Sequence, residues 1–521
     1  MDTRGSDFRK ISVYAVLAGL VVAVGSIQPI FNVDYWWNLA AGRWMWSAHH
    51  ILRTDPFSYT VYGHRWIDFE WLFQFLLYAS YRHSNVQGVL LFKAFLVLVS
   101  SLGFYSSLPK TIPPPIRALM VPATFALLRF RNMVRADLIA IALFPWFLAA
   151  YFEAMDRGRG SKLRFIWLLW AGMLIWMNSH ASFWFMIALT GIFLLRWETN
   201  HQDMPHLRLE NPFVLLLLGY TALLVINPYG VQLPLNTLHI SLQLLTADRA
   251  DFIEYTATPL KGFAAYWALV LWSAGFLALR SVRRRTWDLA QWLLFIFAVW
   301  IGLSFKRNLP FSVFVLIPLA LRNLSWPAGL KRFPPFLLHA IATLLWVGLL
   351  ISAARSARMG IDERLVPEQL ARLLSSDFHE GRLFNDYNLG SYFIWAFYDQ
   401  KRPVFIDSRM HFIEGYPELW RQLKQARALE PEGLDRWRAL QQKWHFALAA
   451  METPPVQYFY RGKLFSPFDY YFPKSEWALV YRDPRFTLFA KRSEYPSSLI
   501  AAHEQPIHVQ SLPPWQDLFR D

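Results

Sequence analysis

Two groups of ionisable residues lie in the segments between long apolar runs. The carboxylates belong to the segment 32–86, and they are Asp34, Asp55, Asp68 and Glu70. The cations belong to two short turns, and they are Arg129, Arg131, Arg135, Lys306 and Arg307. A carboxylate acts well as a general base, and guanidinium groups match the geometry of phosphate oxygens. Together the groups indicate a site that binds an anionic leaving group and deprotonates a nucleophile.

Each group also has a plain structural interpretation. Asp34 is a residue type that caps helices, Asp55 precedes a proline in an ordinary turn, and Glu70 suits a solvated interface. The arginines could instead reach lipid headgroups or pair with Asp137 and Glu254. The sequence alone leaves both interpretations open.

The elements that must position these residues are mostly apolar helices. The chain has 521 residues, is 55% hydrophobic and has a mean hydropathy of +0.22, which indicates an integral membrane protein. Runs close to the length of about 20 residues that crosses a hydrocarbon core lie at 11–31, 87–108, 115–130, 136–152, 164–179, 181–196, 212–227, 263–280, 289–305, 308–322 and 335–354. We therefore predict about eleven transmembrane helices.

The distribution of charge predicts the orientation. The net charge of +15 lies entirely within residues 1–357, since residues 358–521 carry equal numbers of acidic and basic residues. If the N-terminus is inside, every segment that faces the cytoplasm carries basic residues, as membrane orientation requires. The basic excess is thereby explained without a nucleic-acid-binding face, so we predict no binding to nucleic acid. An odd number of crossings then places the C-terminal region outside, in the periplasm of a bacterium, with the protein in the inner membrane.

The first outer loop, 32–86, carries six tryptophans, an aromatic content typical of the membrane–water interface. We predict two interfacial helices here, of which the second, FEWLFQFLLYASY (69–81), is too short to span a bilayer. These belong to a membrane domain of residues 1–355. Residues 356–521 mix helical and strand-like segments and predict a soluble α/β domain, in which RDPR (482–485) forms a hairpin turn.

Further candidates lie beside the ionisable groups. Asn178 and His180 follow an apolar run and could hydrogen-bond a sugar or phosphate or simply close a turn, while Trp37 and Glu254 are candidates for substrate contact. The pair Asp407 and Arg409 follows an apolar strand, where we favour a structural role. The chain has no cysteine, so any metal would need His, Asp or Glu.

The first loop resembles that of the GT-C superfamily, multi-helical membrane glycosyltransferases that use polyprenyl-phosphate-linked sugars. A group of bacterial GT-C-like membrane proteins is similar in an Asp–aromatic–Trp element (34–42), a TDPFSYT element (54–60) and an acid–Trp–Leu element (70–72). Further similarities are WMNSH (176–180), NPYG (227–230), FKRN (305–308) and VFIDSR (404–409). Where those proteins often have His before the acid at 70, this chain has Phe69, which weakens a metal role there.

The resemblance implies a glycosyltransferase with Asp34 as general base and the outer-face cations as ligands of the donor phosphate. It implies a polyprenyl-phosphate-linked sugar as donor, a glycan, lipid or protein as acceptor, contact with membrane lipids and, in several members, a divalent cation such as Mg²⁺ or Mn²⁺. Two alternatives remain open, a transporter or flippase of lipid-linked saccharide and a scaffold for envelope polysaccharide assembly. A transporter usually has related halves, and the sequence has no evident repeat.

Overall fold

The structure is a computed structural model that describes residues 12–157, 166–199, 211–246, 258–324, 335–363, 366–409, 413–426, 431–452, 458–460, 463–465 and 471–506. Contacts between Cα atoms divide the chain into two compact units. Unit 1 consists of Met1–Ile30 and Phe69–Ile361, and unit 2 consists of Phe31–Asp68 and Asp362–Asp521.

The regular elements of unit 1 in its described residues are helices, apart from an isolated parallel bridge between Ile30 and Ile361. Its helices are α1 (Val13–Gly25), α3 (Trp71–Ser107), α4 (Pro114–Leu127), α5 (Asp137–Arg157), α6 (Ile166–Met177), α7 (Phe183–Thr199), α8 (Pro212–Leu223), α9 (Gln232–Thr246), α10 (Ala264–Arg284), α11 (Leu289–Ser304), α12 (Leu309–Asn323) and α13 (Pro335–Ser356). Two 3-10 turns, Arg129–Arg131 and Lys306–Asn308, precede α5 and α12.

Each of the eleven predicted apolar runs overlaps one of these helices over most of its length, so the predicted helical character is confirmed. Within the described residues, α3, α5 and α10 are long and apolar enough to cross a membrane, and six further apolar helices are shorter. The number of crossings therefore stays a prediction. Helix α9 was not predicted, because its sequence alternates polar and apolar residues and forms no continuous apolar run.

Local sequence explains where several helices begin and bend. Ser12 caps α1, where its hydroxyl accepts a hydrogen bond from the Tyr14 amide, and Asn211 caps α8 directly before a proline. Helix α3 is kinked at Ser84 and Asn85, the latter with a φ of 49°. Segment 69–81 therefore falls before the kink, and its predicted helical form is confirmed from Trp71 onward.

Unit 1 buries polar groups that hydrogen-bond one another and exposes large apolar side chains. Helix α3 packs along α5, and α11 packs along α12. Inside, the Tyr151 hydroxyl is hydrogen-bonded to Thr190 at 2.6 Å and to Tyr220 at 3.0 Å, so these buried polar groups satisfy one another. Large apolar side chains such as Leu271 and Leu344 are more than 70% exposed, as expected of helices that face lipid.

Unit 2 is built around a mixed four-stranded sheet. Its helices are α2 (Asp34–Ala48), α14 (Glu368–Ser376), α15 (Tyr387–Ala396), α16 (Tyr416–Ala426), α17 (Pro431–Trp444) and α18 (Ser497–His503). Its strands are β1 (Arg382–Asn385), β2 (Phe446–Glu452), β3 (Tyr458–Tyr460), β4 (Lys463–Phe465), β5 (Trp477–Arg482) and β6 (Phe486–Lys491).

The strand order is β1-β2-β6-β5, with β1 and β2 parallel and the other pairs antiparallel, while β3 and β4 form a separate hairpin. The predicted hairpin turn at 482–485 is confirmed, since it joins β5 to β6. The carboxylate of Asp483 accepts hydrogen bonds from the amides of Arg485 and Phe486, which closes the turn. The predicted α/β character of the C-terminal region is confirmed.

Residues 31–68 pack with the C-terminal residues, which differs from the predicted assignment of the whole first loop to the membrane domain. Ser58 pairs with Val404 in a parallel bridge, and Trp66 pairs with Ile413 in an antiparallel one. Helix α2 packs against α15. The two helices predicted for the first loop thus belong to different units: α2 lies in unit 2, and the segment 69–81 lies in unit 1.

Candidate functional site

The candidate base, Asp34, is the first residue of α2 in unit 2. Its Oδ1 atom accepts a hydrogen bond of 2.6 Å from the Ser408 hydroxyl and a longer one of 3.4 Å from the Trp37 indole. The N-cap is Val33 and makes no side-chain capping bond, so capping does not explain the acid. Asp34 is partly exposed, whereas Trp37 is buried. The carboxylate is held in place and still reaches solvent.

Helix α15 fixes Ser408 from the other side. Ser391 and Ser408 are joined through their hydroxyls at 2.8 Å, and the Tyr387 hydroxyl donates to the Ser408 carbonyl at 3.0 Å. Tyr387 and Ser391 are four residues apart and therefore lie on one face of the helix. In VFIDSR the sequence analysis singled out the charged pair Asp407 and Arg409, and it missed the role of Ser408 between them.

Directly beside Ser408 is a buried ionic group. The Arg409 guanidinium bonds the Asp407 carboxylate at 2.6 and 2.7 Å and the Asp55 carboxylate at 2.7 Å. All three side chains are fully buried in unit 2. Burial disfavours the charge on Arg409, but Asp407 and Asp55 hold its pKa above the ordinary value.

Neighbours complete this ionic group. The Tyr416 hydroxyl donates to Asp407 at 2.8 Å, and burial together with the charge of Asp407 raises the pKa of Tyr416, so the phenol keeps its proton. The guanidinium lies 5.1 Å from the Phe57 ring centroid and 4.9 Å from that of Trp66. These contacts favour the structural interpretation of Asp407 and Arg409.

The Asp55 carboxylate is also buried and hydrogen-bonded. Besides Arg409, its oxygens accept hydrogen bonds from the amides of Phe57 and Ser58 at 3.1 Å and from the Ser58 hydroxyl. Such a buried, fully bonded carboxylate shapes the turn 54–60 and positions it on the C-terminal residues. The geometry therefore favours a positioning role for Asp55 over contact with substrate.

Unit 1 brings together the predicted cations and the His180 turn. Arg131 forms a buried ion pair with Asp137, the first residue of α5. The Arg307 guanidinium is 3.1 Å from His180 Nε2, and the charges of Arg131, Arg135, Arg307 and Asp137 all act on His180. Three turns that are distant in sequence thus meet in one cluster, which we call the cationic cluster: Arg131, Arg135, Asp137, His180 and Arg307.

The His180 ring is oriented by its second nitrogen. Nδ1 is 2.8 Å from the Ser182 hydroxyl, which also accepts a hydrogen bond from the Trp176 indole. Burial, followed by the charge of Arg307, lowers the pKa of His180 to about 3. The imidazole is therefore neutral near pH 7, and the three arginines outweigh the single carboxylate of the cluster. Such a site favours an anion.

Four further candidates, Asn178, Glu70, Arg129 and Lys306, lie in the turns that form this cluster or directly before α3. Asn178 accepts a hydrogen bond from the Trp71 indole at 2.9 Å, which fixes the segment beginning at Glu70 to the His180 turn. Glu70 is buried directly before α3. Arg129 is exposed and Lys306 is partly exposed. The predicted pairing of an arginine with Glu254, and Glu254 itself, lie outside the described residues.

The sequence missed one further cation near the cluster. Lys93 of α3 is buried, and its ammonium donates to the carbonyl of Asn132 at 3.4 Å. It was overlooked because it lies within an apolar run. In the part of the chain that the structure describes, no three His, Asp or Glu residues are grouped closely enough to hold a metal ion.

The fold that carries these residues is similar to that of a solved membrane-bound oligosaccharyltransferase. In particular, the chain is similar to the oligosaccharyltransferase of Archaeoglobus fulgidus, whose crystal structure holds a tethered acceptor peptide with an NVT sequon. The TM-score is 0.51 and the identity 11%, over 84% of this chain and 68% of that one. No protein-family profile and no curated protein sequence matches the chain.

Proposed function

We propose that this protein is a GT-C-type glycosyltransferase of the bacterial inner membrane. It takes a sugar from a polyprenyl-phosphate donor on the outer face and transfers it to an acceptor of the cell envelope, a glycan, lipid or protein. The observation that carries the proposal is the cationic cluster of unit 1, which assembles three arginines and a neutral histidine from three separate turns in a GT-C fold.

The cationic cluster is the proposed site of the donor phosphate. Arg307 offers its guanidinium beside His180, and Arg135 adds a second charge, while Arg131 is held by Asp137. As the bond between the sugar C1 and the phosphate oxygen breaks, its electron pair stays on the phosphate. Guanidinium groups already in place stabilise that growing charge without reorganisation.

Asp34 is the proposed general base. An acceptor hydroxyl forms the new bond to C1, and its proton passes to the Asp34 carboxylate as the phosphate leaves. Ser408 restrains one carboxylate oxygen at 2.6 Å, which limits rotation of the side chain. Partial exposure of Asp34 gives an acceptor access to the carboxylate.

The test is sugar transfer by the full chain in membranes. Membranes that contain the protein are supplied with a radiolabelled polyprenyl-phosphate sugar, and transfer and donor binding are measured for the wild type and for Asp34→Asn. Mass spectra of lipid-linked glycans in membranes with and without the protein identify the sugar. We expect Asp34→Asn to lose transfer by about a hundred-fold or more, as removal of a general base does, and to keep donor binding.

Asp399→Asn is the matched control, because Asp399 is an exposed acid of unit 2 whose described partner is Arg43. It should transfer sugar as the wild type does. If Asp34→Asn transfers sugar normally, Asp34 is not the base. If the wild type moves lipid-linked saccharide across the membrane and never transfers it, the protein is a flippase and the proposal fails.

A further inference from the structure

Helix α9 of unit 1 carries two stripes of different chemistry on its surface. The first stripe is apolar, its members are between 39% and 64% exposed, and it consists of Val231, directly before the helix, Leu235, Leu238 and Leu242. The second stripe is polar and at least partly exposed, and it consists of Gln232, Asn236, His239 and Gln243. In both stripes successive members are three or four residues apart, so each stripe runs along one face of the helix.

A third face of α9 packs on the protein. Leu233, Thr237 and Ile240 are buried and lie on the side of the helix roughly opposite the apolar stripe. Each residue of the polar stripe directly follows a residue of the apolar stripe, so the two stripes are about 100° apart around the helix axis. Helix α9 therefore has one face toward the protein, one exposed apolar face and one exposed polar face.

This pattern is typical of a helix that lies along a membrane surface. A helix that crosses a bilayer is apolar on every face that meets lipid, whereas α9 has a polar stripe. A contiguous row of exposed Val and Leu side chains on a soluble helix marks an interaction surface. Among the described helices, α9 belongs neither to those long and apolar enough to cross a membrane nor to the shorter apolar ones.

Two hydrogen bonds attach α9 to the turn that carries His180. The Trp184 indole donates to the Thr237 hydroxyl at 3.1 Å. The Asn178 amide donates at 3.2 Å to the carbonyl of Ile226, in the turn that leads into α9. His180 lies between Asn178 and Trp184 in sequence and belongs to the cationic cluster. The apolar stripe and the cationic cluster therefore lie at the same end of unit 1, where α6 ends and α7 begins.

The segment NPYG (227–230) fixes the direction in which α9 leaves that turn. The Asn227 side chain donates to the carbonyls of Leu224 and Gly230, both at 2.9 Å, and accepts from the Tyr229 amide at 2.8 Å. Gly230 has a φ of 57°, a left-handed conformation that glycine adopts without strain. Since α9 begins two residues later, a closed turn sets the orientation of the helix.

We infer that α9 docks in the membrane interface, with its apolar stripe at the boundary between headgroups and acyl chains and its polar stripe among the headgroups. The partner of the apolar stripe is the lipid bilayer. Because the His180 turn is hydrogen-bonded to this helix, the cationic cluster is held at the level of the lipid headgroups. The inference goes beyond the proposed function, since it holds equally for a protein that binds a lipid phosphate without transferring a sugar.

The depth of α9 is tested first, and the cysteine-free sequence allows a single nitroxide label at each chosen position. Leu235→Cys, Leu238→Cys, Leu242→Cys and His239→Cys are labelled in the full chain in nanodiscs, and EPR measures collisions with oxygen and with a water-soluble nickel complex. We expect the three leucine positions to favour oxygen at one common depth of about 5–10 Å, and position 239 to favour nickel. Arg438→Cys, at an exposed position of α17, is the aqueous reference.

Other placements of the helix give different patterns. If α9 crosses the bilayer, the depth changes steadily by about 10 Å between positions 235 and 242, at about 1.5 Å per residue. If the stripe faces water, the nickel complex reaches the leucine positions. If another protein or a second copy of the chain covers the stripe, neither reagent reaches them. Each of these three results overturns the inference.

The effect on the cationic cluster is tested next, and this part rests on the proposed donor site. Leu235→Gln/Leu238→Gln removes apolar surface from the stripe, and Asn236→Gln/His239→Gln is the matched control because it keeps the polar stripe polar. We expect the first variant to raise the Kd for polyprenyl phosphate in nanodiscs several-fold and the control to bind as the wild type does. An unchanged Kd for the first variant would refute a role of α9 in placing the cluster. If the labels report the expected depths and the wild type transfers no sugar, the docking of α9 stands and the proposed function fails.

Discussion

The Ser408 hydroxyl donates a 2.6 Å hydrogen bond to the Asp34 carboxylate, although 374 positions separate the two residues in sequence. The bond joins the start of α2 to the segment that follows Val404, both in unit 2. The proposed base is therefore restrained by a residue that is distant in sequence. Its removal should therefore affect the chemical step more than the donor site.

Ser408→Ala tests that bond. We expect kcat for sugar transfer to fall about ten-fold or more, since a hydrogen bond to a charged group contributes about 1.5–3 kcal/mol, while the KM for the donor stays unchanged. Steady-state kinetics at varied donor concentration measure both. Ser493→Ala, an exposed serine of unit 2, should match the wild type, and an unchanged kcat for Ser408→Ala would refute the positioning role.

Arg409→Met tests the buried ionic group. The change leaves Asp55 and Asp407 buried without their counter-charge, so we expect the free energy of unfolding of unit 2 to fall by about 3–5 kcal/mol. Thermal unfolding followed by tryptophan fluorescence measures it as a lower Tm. Arg421→Met removes an exposed ion pair with Glu418 and should lower the Tm much less, because exposed ion pairs contribute little to stability. Equal Tm shifts for the two variants would contradict the argument.

Arg307→Ala tests the proposed phosphate site. The loss of a charged hydrogen-bond donor should raise the Kd for the polyprenyl-phosphate sugar about ten-fold or more. Arg307→Lys should recover part of the affinity, because it restores the charge without the planar fork. Equilibrium binding of labelled donor in nanodiscs is the measurement, and Arg283→Ala, at the exposed end of α10, is the control. Tight donor binding by Arg307→Ala would remove this residue from the site.

His180 predicts a pH dependence of stability. Its pKa of about 3 in the folded protein lies below the ordinary 6.5, so the unfolded state binds the proton more readily between these values. Stability from the neutral imidazole is thus present above about pH 6.5 and is lost as pH falls toward 3. His180→Gln should flatten that part of the Tm–pH profile. Parallel profiles for the variant and the wild type would show that His180 titrates normally.

Much of unit 1 could be predicted because its signal is local. An apolar run of sufficient length needs no partner to be recognised, and each of the eleven runs overlaps a helix. The hairpin turn at 482–485 could also be predicted from local sequence, since Asp and Pro favour turns through their own conformational preferences. Helix α9 has no such run, because polar residues interrupt its sequence, so the sequence did not predict it.

The arrangement of the site could not be predicted in the same way. Residue types identified Arg307 and His180 as candidates, yet nothing periodic in the sequence indicates that Arg307 reaches His180 rather than lipid. The structural alternatives were partly correct, since Arg131 pairs with Asp137 and Asp55 shapes a turn. The membership of residues 31–68 in unit 2 depends on pairings such as Ser58 with Val404, which are too distant to leave a local pattern.

That membership has a consequence for biosynthesis. Asp55 leaves the ribosome 354 residues before Arg409, its buried partner, so the first loop remains without that counter-charge until Arg409 has been synthesised. Contacts of such long sequence separation form slowly, and the candidate base meets Ser408 at the same late stage. A chain that ends between Ser356 and Ser408 therefore contains every described helix of unit 1 but lacks the partner that holds Asp34 in unit 2.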